Sequence, residues 1–344
     1  MRKILISDVQ SKIEHAGFKA KRDVREICSS LDIQIIDIHT HYSIKTIDGI
    51  YKFILNTIQL AQKLNKNDIV FINYPIYSRF VIEFLFLIQK KYNLKIVPII
   101  HDLDSLRGHV GIDEKYLSNF KYMISHNKKM SEYLIRKYPD IKIVNLEVFD
   151  YLVRNNPSYT FESTDHPYLV FAGNLSQEKS GFLYHYKLPV KSDLWGINLD
   201  VEKINLNSLT YIGKFDPDNP EKFFSHYQNK NVFGLIWDGT DIDSCNGEYG
   251  EYLKYNNPHK TSFYLSQGLP VIIWKQAALA DFVVENKCGL IVDSLSELPD
   301  VFNHMDSDIY KIYRQNAEII GEKIRRGYFL SKSIKAIEKL ICNQ

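Results

Sequence analysis

Two lysines in the second half of the chain lie in neighbouring strand-to-helix regions, and their combined charge is of the size that a diphosphate needs. Lys260 belongs to the segment "NNPHKTSFYLSQGLPVIIW", in which Pro258 can begin a helix and Gly268 can end it. The first turn of such a helix presents unpaired N–H groups and a partial positive charge. Lys179 belongs to "VFAGNLSQEKSGFL", after another apolar run. The pattern predicts an anion site formed by His259, Lys260 and Lys179.

The turn that precedes Lys179 adds a feature of phosphate-binding loops. Gly173 and Asn174 directly follow the apolar run, and a glycine there lets the backbone approach a phosphate. The loop matches neither a Walker sequence nor G-x-G-x-x-G, so an ordinary surface turn with a solvated lysine stays an alternative. Asp238 follows "GLIW" at the end of another predicted strand, where functional side chains of parallel sheets emerge. We therefore count Gly173, Asn174 and Asp238 among the nucleotide-binding candidates.

His101 and Asp102 directly follow the apolar run "KIVPII" in the first half of the chain. A carboxylate or an imidazole at the carboxyl end of a strand can act as a general base. A buried structural histidine and a helix-capping aspartate are the alternatives. The same residues could form a metal cluster with Asp104 and His109, but their spacing matches no standard ligand pattern, and we expect no metal.

A long polar segment, "SDVQSKIEHAGFKAKRDV", follows the first apolar run. We expect it to be the first loop of an α/β domain, with Gly17 and Lys19 ahead of a helix that begins near Arg22. Arg107, in "LDSLRGH", lies close in sequence to the general-base candidates. Gly17, Lys19 and Arg107 are therefore candidates for contacts with the acceptor or the donor phosphates. A flexible surface loop is the alternative for the first segment.

Short runs rich in Ile and Val alternate with segments of helical periodicity along most of the chain, which predicts the α/β class. We expect two doubly wound domains, joined by a polar, turn-rich linker after residue 150. Residues 1–160 are assigned to an N-terminal domain, 165–320 to a C-terminal domain and 321–344 to a terminal helix. Open parallel sheets bind ligands at the carboxyl ends of their strands, so a cleft between the domains is the expected site.

Composition excludes several function classes. Charged residues make up 24% of the chain and hydrophobic residues 45%, which is typical of a globular protein. The net charge of +2, without a basic stripe, gives no reason to expect a nucleic-acid partner. The four cysteines lack metal-ligand spacing and fit a reduced, cytoplasmic chain. We expect no signal peptide and no membrane span, while peripheral membrane contact stays open.

Several segments together resemble a family of bacterial sugar-nucleotide glycosyltransferases: "NNPHKTSFYLSQGLPVIIW", "FAGNLSQEKSGFL", "IIHDLDSLRG" and "AGFKAKRDV". This family contains β-1,6-galactofuranosyltransferases and glucosyltransferases that modify adhesins. The resemblance implies a GT-B fold, in which two Rossmann-like doubly wound domains face a cleft and the C-terminal domain holds most of the nucleotide. It also implies that no metal or other cofactor is needed, and that the terminal helix crosses back to the N-terminal domain.

The resemblance implies roles for single residues by their position. Lys260 and Lys179 would bind the donor diphosphate, Tyr211 in "LTYIGKF" would contact the nucleoside, and Asp102 would be catalytic. The expected reaction is metal-independent, inverting transfer of a hexosyl group, galactofuranosyl in the first instance and β-linked, from a UDP-sugar to a glycan acceptor. The expected setting is O-antigen, capsule or exopolysaccharide synthesis in the cytoplasm. A lipid-linked acceptor at the inner membrane face and a homo-oligomer are left open.

Three other functions compete with this interpretation. The first is a glucosyltransferase that extends GlcNAc on a glycoprotein adhesin. The second is a single-domain, metal-dependent glycosyltransferase, for which the Asp-x-Asp strings at 102–104 and 241–243 are candidates. The third is a non-catalytic subunit that binds a nucleotide or a glycan.

Overall fold

A computed structural model of the protein describes residues 1–8, 16–39, 45–76, 78–108, 112–153, 167–216, 220–227 and 230–343. The chain forms two compact units. The first unit consists of Met1–Leu146 together with Leu330–Gln344, and the second unit is Glu147–Phe329. Each unit is built around one parallel six-stranded β-sheet.

The sheet of the first unit has short, apolar strands. They are β1 (Lys3–Asp8), β2 (Gln34–Ile38), β3 (Ile69–Tyr74), β4 (Lys95–Ile100), β5 (Tyr122–Ser125) and β6 (Lys142–Asn145). Their order is β2-β1-β3-β4-β5-β6, and all neighbouring pairs are parallel. Every residue of β3 is buried, as a central strand covered on both faces requires. The strand order reverses between β1 and β3, so this sheet is doubly wound.

Helices connect these strands. They are α1 (Ala16–Ser30), α2 (Ile47–Lys63), α3 (Arg79–Tyr92), α4 (Ile112–Leu117) and α5 (Lys128–Lys137). A 3-10 helix, Asp104–Arg107, follows β4. Leu60 of α2 and Leu85 of α3 pack with Ile6, Ile72 and other strand residues in one buried core. The apolar periodicity of α2 and α3 therefore serves one face of the sheet.

The second unit has the strand order of a Rossmann fold. Its strands are β7 (Tyr168–Asn174), β8 (Ser192–Ile197), β9 (Leu209–Gly213), β10 (Val232–Ile236), β11 (Val271–Trp274) and β12 (Gly289–Val292). The order β12-β11-β10-β7-β8-β9 reverses between β7 and β10. Its helices are α6 (Gln177–Ser180), α7 (Glu221–Tyr227), α8 (Gly247–Tyr252), α9 (His259–Ser266), α10 (Ala280–Glu285), α11 (Leu298–Asn303) and α12 (Ser307–Arg325). The 3-10 helices Gly181–His185 and Leu295–Glu297 complete it.

The last helix, α13 (Tyr328–Cys342), begins at the end of the second unit and belongs mostly to the first. In the first unit its Ser333 hydroxyl donates to the carbonyl oxygen of Asn145 at 3.1 Å, and its Glu338 pairs with Lys3 at 3.2 Å. Within the described part of the chain, none of the helices combines the length and the apolar character that crossing a bilayer requires.

Two local features differ from the sequence-based expectations. Helix α1 begins at Ala16, so Gly17 and Lys19 lie inside this helix and not in a loop ahead of it. The reason is an i,i+4 ion pair between Lys19 and Asp23, which supports the first turns. Strand β8 was not expected, because its buried Asp193 interrupts the apolar run; this carboxylate accepts a hydrogen bond from Tyr227 at 3.2 Å.

Candidate active site

Lys260 lies where the strand order of the second sheet reverses. Strands β7 and β10 flank this point, and open α/β sheets bind ligands in the crevice beyond it. Lys260 is in the first turn of α9, which begins directly after Pro258. Its Nζ lies 2.7 Å from Asp238 Oδ1 and 3.2 Å from the carbonyl oxygen of Trp237, the two residues that follow β10. The structure thus brings together the predicted Lys260 and Asp238.

The surroundings of the Lys260 ammonium are poor in water. Its side chain is only 16% exposed, and Nζ lies 4.3 Å from the ring centre of Phe171 on β7. Burial lowers the pKa of Lys260 below the ordinary 10.5; Asp238 opposes this shift, and the charge of Lys179 adds to it. An anion that approached this site would meet a poorly solvated cation, for which electrostatic attraction is stronger than in bulk water.

Helix α9 is held against the separating strands by Tyr264. The pairing of β7 with β10 ends at Gly234, and a Cβ there would lie only 2.2 Å from Tyr264 Cγ. Beyond this point, the backbone N–H of Ala172 donates to the Tyr264 hydroxyl at 2.6 Å. Gly268 ends the helix with φ of 63°, as predicted, and its N–H donates to the carbonyl oxygen of Leu265. The position of Lys260 is therefore fixed by packing that only glycine at 234 permits.

The strands β7 and β8 carry glycines, Gly173 and Gly196, near Lys260, so the backbone there is not covered by a side chain. A Cβ on Gly173 would lie 3.7 Å from the Cδ atom of Lys260, and a Cβ on Gly196 would lie 1.9 Å from the carbonyl oxygen of Gly173. The Tyr211 hydroxyl on the edge strand β9 donates to the carbonyl oxygen of Gly196 at 3.0 Å. The predicted Gly173 and Tyr211 are thus linked through Gly196, which pairs with Gly173 in the sheet, and the Tyr211 side chain is partly exposed.

Lys179 is positioned by a second backbone connection to the end of β10. The N–H of Gly239 donates to the carbonyl oxygen of Lys179 at 3.0 Å, and the N–H of Phe182 donates to the carbonyl oxygen of Gly239 at 3.1 Å. Gly239 has φ of 113°, and a Cβ there would lie 2.5 Å from the carbonyl oxygen of Asn246. The Lys179 ammonium lies 5.1 Å from the ring centre of Tyr249. The loops after β7 and β10 are therefore hydrogen-bonded to each other.

The segment Asp241-Ile242-Asp243, in the loop after β10, is hydrogen-bonded to the segment that follows β12. Asp243 Oδ1 accepts hydrogen bonds from the hydroxyls of Ser294 at 2.6 Å and Ser296 at 2.8 Å, which lower its pKa. The N–H of Leu295 donates to the carbonyl oxygen of Ile242 at 2.8 Å. Asp241 Oδ1 accepts the N–H of Asp243 at 2.9 Å. Both carboxylates thus have structural partners within the second unit.

The remaining nucleotide candidates occupy less direct positions. The Asn174 side-chain oxygen accepts from the N–H of Ser176 and from the side-chain amide of Asn198, both at 3.1 Å, and so shapes the loop after β7. The His259 ring stacks on Phe149, with ring centres 4.4 Å apart. His259 therefore packs against the segment that opens the second unit, while its neighbour Lys260 reaches the end of β10.

Several polar side chains lie at the carboxyl ends of the strands of the first sheet. The His101 Nε2 atom lies 2.9 Å from Asn73 Oδ1, and the backbone N–H of His101 donates to the carbonyl oxygen of Tyr74. Ser7 and Asn73 are the penultimate residues of the neighbouring strands β1 and β3, and His126 directly follows β5. Ser7, Asn73 and His126 are all buried. The end of β4, which carries His101 and Asp102, is thus held by side-chain and backbone bonds to β3.

Asp102 and Arg107 form an ion pair of 3.5 Å across the 3-10 helix, and both side chains are partly exposed. The sequence placed them near each other, and the structure brings their charges together. Lys19 is different, because its ammonium is buried and lies 2.5 Å from the Asp23 carboxylate on the same helix. The Lys19 ammonium is thus paired with Asp23, and its contact with a ligand stays a prediction. His109, the last member of the hypothetical metal cluster, lies outside the described residues.

No group of three or more His, Cys, Asp or Glu side chains with the geometry of a metal site occurs among the residues that the structure describes. Several residues around the two sites were not predicted from the sequence, among them Asn73, Gly196 and Tyr264. Asn73 carries a recognisable signal, because an amide interrupts the otherwise apolar "IVFINY" strand. Gly196 and Tyr264 carry none, since their importance depends on which strands and helices meet.

Comparison with known proteins identifies the family to which both halves of the chain are similar. Residues 3–148 match the family model of the N-terminal domain of glucosyltransferase 3-like proteins, and residues 169–337 match the model of the C-terminal domain. The chain is 35% identical over 336 residues to the β-1,6-galactofuranosyltransferase WbbI of Escherichia coli K12, covering 96% of this chain and 97% of WbbI. It is 23% identical to glucosyltransferase 3 of Streptococcus parasanguinis, covering 74% and 73% of the two chains.

The fold has a counterpart among solved structures. The apo form of the lipopolysaccharide outer core galactosyltransferase WaaB superimposes with a TM-score of 0.62 at 12% identity, covering 98% of this chain and 99% of WaaB. At this identity the likeness establishes the fold, which is GT-B. With the two domain models matched along most of the chain and WbbI aligned from end to end, the protein belongs to the glucosyltransferase 3-like family of glycosyltransferases.

Proposed function

We propose that the protein transfers a hexosyl group from a UDP-sugar to a hydroxyl of a glycan acceptor, with galactofuranose as the donor sugar. The observation that carries this proposal is the buried Lys260 at the reversal point of the second sheet, close to Asp238 and to bare backbone at Gly173. Such a site suits the diphosphate of a nucleotide sugar. The choice of galactofuranose and of a β-linkage rests on the similarity to WbbI, whereas polysaccharide synthesis rests on the family resemblance of the sequence.

In the proposed reaction, an acceptor hydroxyl attacks the anomeric carbon, and the bond from that carbon to the β-phosphate oxygen breaks. The electron pair of that bond stays with UDP, where Lys260 and Lys179 stabilise the growing negative charge. We assign the stabilisation of this charge to the two lysines and not to a metal ion. The addition of a chelator tests that assignment, because activity should persist with EDTA and should not need added manganese.

The hydroxyl proton needs an acceptor, and Asp102 is the proposed general base. Its carboxylate is partly exposed, while the Nδ1 atom of His101 is buried. His101 is then a positioning residue. Its hydrogen bond to Asn73 holds the end of β4, and this fixes the position of the next residue, Asp102. Attack on the face opposite UDP would invert the configuration of the anomeric carbon, and we propose inversion because of the similarity to a β-1,6-galactofuranosyltransferase.

A second candidate is a glucosyltransferase that extends GlcNAc on an adhesin. The similarity to glucosyltransferase 3 of Streptococcus parasanguinis favours it. A panel of UDP-sugars that includes UDP-galactofuranose and UDP-glucose separates the two, with donor hydrolysis as the readout. Faster hydrolysis of UDP-glucose than of UDP-galactofuranose would reject the first choice of donor.

The diphosphate site itself is tested by UDP binding. We expect the double variant Lys179→Ala/Lys260→Ala to bind UDP at least about 100-fold more weakly in calorimetry. The matched control is Lys275→Ala/Lys311→Ala, which removes two exposed lysines of the same unit that pair with Asp293 and Asp308. Unchanged UDP affinity in the first variant would refute the proposed donor site.

A further inference from the structure

Helix α2 exposes an apolar stripe to solvent. Ile47, Ile50, Tyr51, Ile54 and Ile58 are between 46% and 89% exposed. Their spacing of three, four, seven and eleven residues from Ile47 places them on one face of the helix, over a length of about 16 Å. A helix on the surface of a soluble domain normally directs such a face to the core. Here α2 has apolar residues on its solvent side as well, which indicates that something covers them.

The α2 stripe continues onto the neighbouring helix α3. Phe53 of α2 and Phe80 of α3 are in edge-to-face contact, with ring centres 6.0 Å apart, so the two helices adjoin there. Phe80 is 41% exposed, and Leu87, two turns further along α3, is 67% exposed. The exposed apolar surface therefore extends over two helices of the first unit.

The part of the chain that carries this surface is rich in positive charge. Residues 45–95 contain eight Lys and Arg against three Asp and Glu, although the whole chain has a net charge of only +2. The three acidic residues each pair with a cation: Asp48 with Lys52 at 2.6 Å, Asp68 with Arg2 at 2.6 Å and Glu83 with Lys115 at 2.7 Å. The last turns of the two helices carry exposed lysines, Lys63 on α2 and Lys90 and Lys91 on α3.

This combination of charge and apolar residues selects the partner. A second copy of the chain, placed face to face, would bring one cationic surface against an identical one, and like charges would oppose the contact. A bilayer with anionic lipids satisfies both features, because isoleucine and tyrosine side chains enter the interface while lysines reach the headgroups. We propose that the α2 stripe docks the first unit on the surface of an anionic membrane, with α2 lying in the interfacial plane.

Membrane docking does not depend on the proposed transfer reaction, and the experiment keeps the two apart. Vesicles of phosphatidylcholine with 30% phosphatidylglycerol are sedimented with the full-length protein, and vesicles of phosphatidylcholine alone serve as the comparison. We expect binding to the anionic vesicles that falls at least about tenfold when the salt concentration rises from 0.05 to 0.5 M. UDP binding, measured on the same samples, reports on the second unit alone.

Two sets of variants test the surface. Ile50→Glu/Ile54→Glu places carboxylates in the stripe and should reduce vesicle binding at least about tenfold. Lys63→Glu/Lys90→Glu/Lys91→Glu should remove the preference for anionic vesicles. Ile135→Glu is the matched control, because Ile135 is a similarly exposed isoleucine (45%) on α5 of the same unit. It should bind vesicles as the unmodified protein does.

Three results would overturn the proposal. The first is no sedimentation with anionic vesicles at low salt. The second is equal binding to neutral and anionic vesicles. The third is a dimer in light scattering that Ile50→Glu/Ile54→Glu dissociates while vesicle binding stays the same, since the stripe would then be an interface between copies. Unchanged UDP affinity in all variants would show that each had retained a folded second unit.

Discussion

The Lys260 ammonium and the Asp238 carboxylate form an ion pair of 2.7 Å at the reversal point of the second sheet, and both side chains are largely buried. Asp238 lies in the loop directly after β10, and Lys260 lies in the first turn of α9, the helix that leads to β11. The Asp238 carboxylate therefore partly neutralises the Lys260 ammonium. An incoming diphosphate would share Lys260 with Asp238, which makes the pair a sensitive probe of the site.

Replacement of Asp238 should destabilise the protein. Asp238→Asn leaves the Lys260 charge in a poorly hydrated place without its counter-ion, and the loss of one partner of a buried pair costs about 3 kcal/mol in the free energy of unfolding. Urea denaturation of the protein without ligand measures this. Asp293→Asn is the control, since that carboxylate pairs with Lys275 at 2.6 Å but is exposed, and it should cost less than about 1 kcal/mol. Equal losses in both variants would contradict the burial argument.

UDP affinity should fall with rising pH. Burial lowers the pKa of Lys260 below 10.5, so the free protein loses this charge at a lower pH than an exposed lysine does. A diphosphate favours the charged form, and UDP binding above that pKa therefore takes up one proton and weakens up to about tenfold per pH unit. Calorimetry in buffers of different ionisation enthalpy measures the proton uptake. Lys260→Arg should remove it, because a guanidinium stays charged. The same pH slope in both proteins would exclude Lys260 as the cause.

The same lowered pKa has a consequence for stability. Between the pKa of Lys260 in the folded protein and 10.5, the unfolded chain holds a proton that the folded protein has released. The contribution of Lys260 to the free energy of unfolding therefore rises with pH across this window. The difference between the unmodified protein and Lys260→Arg, followed by urea denaturation against pH, isolates this contribution. A difference that falls with pH would show that the pKa is raised and not lowered.

The hydroxyl of Tyr264 should matter more than that of Tyr211. Tyr264→Phe leaves the buried N–H of Ala172 without its acceptor at 2.6 Å, which costs about 2 kcal/mol in the free energy of unfolding. Tyr211→Phe makes the same chemical change on an exposed edge strand, where water can replace the bond to Gly196, and should cost less than about 1 kcal/mol. Denaturation of both variants tests the order, and a larger effect at Tyr211 would contradict it.

Local patterns predicted the α/β class, most strands and the end of α9, because these depend on neighbouring residues. The apolar runs gave β3 and β4, and Gly268 marked the helix end. The start of α1 was missed, since its first turns are supported by the Lys19–Asp23 pair and not by an apolar repeat. Strand β8 was missed because Asp193 is buried through a tyrosine that lies 34 residues away in sequence.

The candidate site likewise contains features that sequence patterns predict and features that they do not. Lys260 and Asp238 were predicted as candidates for one site, but their ion pair was not; Asp238 follows the end of β10 and Lys260 lies in the first turn of the helix that leads to β11, so both lie at the carboxyl edge of the sheet. The contribution of Gly196 depends on its register opposite Gly173, and sequence alone does not give register between β7 and β8. The α2 stripe was also missed, since periodicity identifies an apolar face but not which of two apolar faces meets the core.

Replacement of Asp102 should separate chemistry from donor binding. Asp102 belongs to the first unit, whereas Lys260 and Lys179 belong to the second, so Asp102→Asn should leave UDP affinity unchanged. If Asp102 takes the proton of the acceptor hydroxyl, kcat for transfer should fall about 100-fold or more, and the remaining activity should lose the acid limb of its pH profile. Asp140→Asn changes an exposed carboxylate of the same unit and should keep full activity. A fall in kcat without any change in the pH profile would instead assign Asp102 to positioning, and would direct attention to the ion pair with Arg107.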